Sequence, residues 1–75
     1  MQRKKIKNMI EKYNGIVDIV HLKTIFFHYS KGKYAVSYDD DAKLYHLAKD
    51  YRGKILIQKM EYKKFIIEFK KFLED

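Results

Sequence analysis

The chain has 75 residues, no cysteine and no proline, seven tyrosines and five phenylalanines, and 17 Lys+Arg against 10 Asp+Glu for a net charge of +7. A single core of that size gives only ~3–5 kcal/mol of net stability, and without cysteine neither disulfides nor the commonest zinc sites can add to it. The aromatic rings compensate in part, and a stabilising partner, a homodimer included, stays open.

All but two of the basic residues are lysine, the exceptions being Arg3 and Arg52. Lysine is a mobile point charge suited to attracting phosphate, whereas arginine supplies the fork that reads guanine edges. The charge balance directs attention to nucleic acid, an anionic membrane surface or an acidic protein, although a lysine-rich coding bias would give the same composition. The basic N-terminus lacks the continuous apolar stretch of a signal peptide, and no run approaches the ~20 apolar residues of a membrane span. The expectation is a soluble, cytoplasmic protein with no membrane partner.

In chain order, residues 3 to 14 carry Ile6, Met9, Ile10 and Tyr13 at helical spacing, with Gly15 placed to end a helix. From Ile16 to Tyr29 the β-branched and aromatic residues of strands take over, too long for one strand, so a break is expected near His21 to Lys23. A hairpin follows. With Lys31-Gly32 as a two-residue turn, Tyr29 faces Tyr34, Phe27 faces Val36 and Ile25 faces Tyr38 on one apolar side. Phe26, His28, Ala35 and Ser37 form a mixed second side.

Asp39-Asp40-Asp41 then introduces Ala42 to Arg52, where Leu44, Leu47, Ala48 and Tyr51 predict another helix, acidic at its start and closed by Gly53. Lys54 to Met60 reads as a strand inside the sheet, covered on both faces. Glu61 to Asp75 closes the chain with the strongest helical stripe of all, Tyr62, Phe65, Ile66, Phe69, Phe72 and Leu73. The expected fold is α+β: three amphipathic helices on a small, mostly antiparallel sheet of three or four strands, in the order α-β-β(-β)-α-β-α, as a single domain spanning residues 1–75.

Chemistry is sparse. Three consecutive aspartates cannot all point at one cation, and helix capping explains them. Positions 21 and 28 differ by an odd number, so on one regular strand their histidines point apart, and local spacing places no Ser, Cys or Asp partner beside any histidine. Glu61-x-Lys63 after a strand, with an aspartate upstream, resembles the metal-dependent nuclease pattern of the PD-(D/E)xK type. In that pattern both residues lie on the strand; here they fall where a helix begins. The expectation is no enzyme, no metal and no cofactor.

Basic residues with interleaved aromatics remain, and they give the expected function: binding nucleic acid through lysines, largely without sequence preference. The candidate residues are Lys4, Lys5 and Lys7 on the first helix, with Lys31, Lys33 and Tyr34 at the hairpin tip. In size and composition the chain is also similar to small accessory proteins of phages and mobile elements, anti-CRISPR proteins among them. That likeness implies an inhibitor that blocks a protein partner, such as a nucleic-acid-handling enzyme.

Overall fold

The computed structural model of this chain describes residues 1–50 and 53–75. The elements are α1 (Arg3–Lys12), β1 (Ile16–Val20), β2 (Thr24–Tyr29), β3 (Gly32–Asp39), β4 (Leu44–Lys49), β5 (Ile55–Met60) and α2 (Tyr62–Glu74). The five strands form one antiparallel sheet in the order β1-β2-β3-β4-β5, so every strand pairs with its sequence neighbour. The fold is α+β with two helices, both on one face of the sheet.

The covered face is built by alternation. Ile25 and Phe27 of β2, Val36 of β3, Leu47 of β4 and Ile57 of β5 point toward the helices and are buried. Onto them α1 lays Ile6 and Ile10, and α2 lays Phe65, Phe69 and Leu73. In α2 those three residues recur every four positions, so one stripe faces the sheet while Lys63, Lys64, Lys70 and Lys71 stay exposed. Half-buried Tyr34 seals the margin, its ring 5.5 Å from Phe27 and 5.0 Å from Phe72.

Four expectations are corrected here. The helix predicted over 42–52 is the strand β4, with Tyr51 and Arg52 lying outside the described residues. Its Leu44, Leu47 and Ala48 fit a helical stripe, but Tyr45 and Leu47 also alternate against His46 and Ala48. Ladders to β3 and β5 on both sides settle the choice for strand. The sheet therefore has five strands, and there are two helices rather than three. The second correction concerns β5, which is an edge strand with Ile55 and Leu56 exposed, not an interior one covered on both faces.

The third is the hairpin register. Tyr29 pairs with Gly32, Phe27 with Tyr34 and Ile25 with Val36. The turn is Ser30-Lys31, both at positive φ (46° and 70°), as a two-residue type I′ turn requires. The predicted pairing is off by two residues, and since strand side chains repeat every two, the same side chains still face the core. Gly32 is in the ladder for room, not for φ: a Cβ there would lie 2.4 Å from the Tyr34 hydroxyl.

The aspartates cap no helix. Asp39 Oδ1 accepts from the backbone N–H groups of Asp41 (3.0 Å) and Ala42 (3.2 Å), and the Lys43 N–H donates to the Asp39 carbonyl at 2.7 Å. This closes the β3–β4 turn, with Lys43 at φ 59°. The break expected near His21 to Lys23 is the β1–β2 turn, closed by the His21 N–H donating to the Thr24 carbonyl at 2.8 Å. No helix among the described residues is long and apolar enough to cross a membrane.

Candidate nucleic-acid interface

The charge of this chain resides in its helices. Arg3, Lys4, Lys5, Lys7 and Lys12 on α1 and Lys63, Lys64, Lys70 and Lys71 on α2 are nine cations, against Glu11, Glu68 and Glu74. The helical layer thus holds +6 of the net +7, and all the other residues together contribute one. All nine cations are exposed. Among the described residues only Lys71 of the nine has an ion-pair partner, Glu68 at 3.2 Å. The acids elsewhere are more engaged: Asp40 pairs with Lys23 at 2.8 Å and Asp39 with Lys59 at 3.2 Å. The Lys23 hydrogen bond holds the Asp40 carboxyl below its ordinary range, and two backbone N–H groups together with Lys59 hold Asp39 low.

Both helices run in the same sense. At one end the Gln2 N–H donates to the Tyr45 hydroxyl (2.9 Å), and the Tyr45 ring meets that of Tyr62 at the start of α2. At the other end the Tyr13 hydroxyl donates to Glu74 Oε2 at 2.9 Å, and Tyr29 donates to the Leu73 carbonyl. The helix ends therefore mark the two ends of the sheet: the β3–β4 turn lies beside the helix starts, the β2–β3 turn beside their finishes.

That frame separates the candidates proposed from sequence. Lys4, Lys5 and Lys7 lie at the start of α1, bordering a shallow depression with Arg3 and Val20. Lys31 lies in the β2–β3 turn at the opposite end, about 15 Å away along a ten-residue helix. Lys33 pairs with His28 and projects to the face without helices. Tyr34 projects to the covered face and packs into the aromatic margin of the core. The six residues do not form one patch.

What the fold brings together is different. Lys5, Asn8, Met9, Lys12 and Tyr13 of α1 and the first turns beyond it line a cleft with Lys70 of α2. The Lys12 ammonium stands 5.9 Å from the centre of the Tyr13 ring. Sequence reasoning misses Lys12 and Lys70 as site residues. The seven-residue spacing of Lys5 and Lys12 was a readable sign of a shared helix face, but nothing local joins them to Lys70.

The uncovered sheet face carries Phe26, His28, Ala35, Ser37, His46 and Ala48, and Ala35 and Ala48 are buried even so. The histidines do not point apart: the His21 ring meets Phe26 edge-on at 5.8 Å, so His21, His28 and His46 are all on this side. They occupy separate settings. His28 Nδ1 is hydrogen-bonded to Asp18 Oδ2, while His46 is half-buried, has an unpartnered Nδ1 and is held below the ordinary histidine range chiefly by burial, then by Lys59. Among the described residues no three His, Asp or Glu side chains gather as a metal would need. Glu61 and Lys63 stand at the N-cap and first turn of α2, both exposed. No family model matches this chain, and no curated protein and no solved structure shows significant similarity to it.

Proposed function

We propose that this chain is a non-catalytic binding protein that holds nucleic acid by its backbone phosphates, through the exposed cations of the helical layer and largely without reading sequence. The observation that carries the reading is the concentration of +6 on two neighbouring helices whose lysines, among the described residues, are almost all without carboxylate partners. Unpaired like charges on one surface raise its potential and draw polyanions by counterion release. Engagement of the tyrosines with other rings, in place of base stacking, favours double strands over single ones. Tyr29 and Tyr34 pack against Phe72, and the Tyr45 ring packs tilted against those of Tyr38 and Tyr62.

The test is fluorescence anisotropy with labelled duplex DNA, single-stranded DNA and RNA, over about 50 to 200 mM salt. Micromolar duplex binding that weakens steeply with salt is the expected result; no binding at the lowest salt would end the reading.

A second reading, an inhibitor that docks on a protein partner, draws on one feature. Ile16, Ile19, Val20 and Leu22 are all exposed along the edge strand β1 and the turn after it. An edge strand with exposed aliphatic side chains is suited to pairing with a strand of another protein.

A further inference from the structure

We infer that the cleft between α1 and α2 is the phosphodiester-binding site of this protein, with Lys5, Lys12 and Lys70 as its phosphate ligands and Asn8 as an additional donor. The inference rests on the nucleic-acid reading above and narrows it to a place.

Three lysines from opposite ends of the sequence border one cleft, and none of them has an ion-pair partner among the described residues. Gathering like charges around a cleft costs stability unless an anion enters it. Glu74, one turn beyond Lys70 on α2, accepts the Tyr13 hydroxyl and is turned to that partner. The start of α1, richer still in cations, is the weaker candidate. The acidic β3–β4 turn stands at that end, and the chain's amino terminus is among the charges that hold Asp40 low. A polyanion approaching there meets carboxylates as well as ammonium groups, whereas the cleft lies farther along α1.

The spacing also suits the ligand. Lys5 and Lys12 are seven residues apart, about 10.5 Å along a helix axis. Four successive phosphates of one duplex strand, three steps of about 3.4 Å each, advance along the duplex axis by nearly the same distance. Lys70 faces that row from the second helix. Lysines supply charge without a fork, so the cleft grips backbone and leaves bases unread.

The experiment compares two charge-matched triple variants on labelled duplex DNA: Lys5→Gln/Lys12→Gln/Lys70→Gln in the cleft and Lys23→Gln/Lys43→Gln/Lys59→Gln around the β3–β4 turn at the opposite end of the sheet. The cleft variant is expected to lose on the order of a hundredfold in affinity at about 100 mM salt, and its salt slope to fall by about 2.7, at roughly 0.9 per phosphate contact. The distant variant is expected to keep its slope. Equal losses in both, or none in the cleft variant, would overturn the cleft while leaving nucleic-acid binding in place. A wild-type protein that binds no duplex would remove the parent reading and the site with it. If the cleft variant melts early, titration of duplex into the wild-type protein decides: the amide resonances of Asn8, Lys12, Tyr13 and Lys70 must shift together, and a response confined to Lys31 and Lys33 would overturn the assignment.

Discussion

Phe69 of α2 meets Phe27 of β2 edge-on, with 5.9 Å between ring centres, and both side chains are fully buried. Phe65 and Phe72 stack on either side of Phe69, so this ring connects the second strand to the whole length of the last helix. Phe69→Ala should cost about 3–5 kcal/mol, from lost transfer energy and the cavity left behind. That is comparable with the entire stability expected of so small a core. Circular dichroism at 25 °C should show a largely unfolded variant; a melt close to that of the wild type would disprove this packing.

Gly15 is required by its neighbours. A Cβ at this position would lie 2.5 Å from Ile10 Cγ2 and 3.0 Å from the Ile10 carbonyl, where α1 turns into β1. The left-handed residue that ends the helix is Asn14, at φ 67°. Gly15→Ala should destabilise by about 1–3 kcal/mol through overpacking. Asn14→Gly should instead be neutral or mildly stabilising, since it relieves an unfavourable backbone conformation. Urea midpoints of the two variants would check the contrast.

The β2–β3 turn is under local strain. Ser30 and Lys31 both sit at positive φ, a region that non-glycine residues populate at a cost. The double change Ser30→Asn/Lys31→Gly supplies the preferred type I′ pair and should stabilise by on the order of 1 kcal/mol. Since Lys31 does not line the α1–α2 cleft, the same variant should bind duplex DNA with an unchanged salt slope. A loss of stability would show the register to be wrong.

Half-buried His46 makes stability fall on mild acidification. Burial, with Lys59 adding and Asp39 opposing, lowers its pKa from the ordinary 6.5, so the unfolded chain takes up the proton more readily than the folded one. Stability contributed by the neutral ring is present above pH 6.5 and is lost as the pH drops toward the lowered folded value. Melting temperature should decline from pH 7.5 to 5.5, and His46→Gln should flatten that decline. A variant with the wild-type slope would assign the effect to other groups. Asp39 and Asp40, both held low, add a further loss at more acidic pH, as they are protonated.

The parts of the fold legible in the sequence are those decided locally. The stripe of α2 from Tyr62 to Leu73 repeats at helical spacing over thirteen residues, and only a helix presents it as one face. The β2–β3 pairing was legible in which side chains face inward but not in register, because Gly32 looks like a turn residue and in fact makes room for Tyr34. β4 was illegible because six residues fit both periods, and the deciding partners, β3 and β5, are non-local. The turn before it carried a usable signal: Asp39 with two backbone N–H groups following is a turn pattern as much as a helix cap. For the site, Lys5 was within reach of sequence reasoning. Its partnership with Lys70 was not, since it depends on two helices being set side by side by the sheet beneath them.

The pairing of every strand with its sequence neighbour also permits stepwise assembly. Hairpins can zip one after another with short loop closures, so the sheet forms from contacts that are cheap in chain entropy. The two helices flank this sheet in sequence and are joined through their shared bed and the Tyr13–Glu74 bridge. The cleft between them has no existence in a half-built chain. Its two walls arrive from opposite directions along the polypeptide, and detachment of either helix erases it along with half the cover of the core. Any anion held there clamps both helices at once and suppresses fraying of each, so occupancy would be readable as slowed amide exchange in α1 and α2 together.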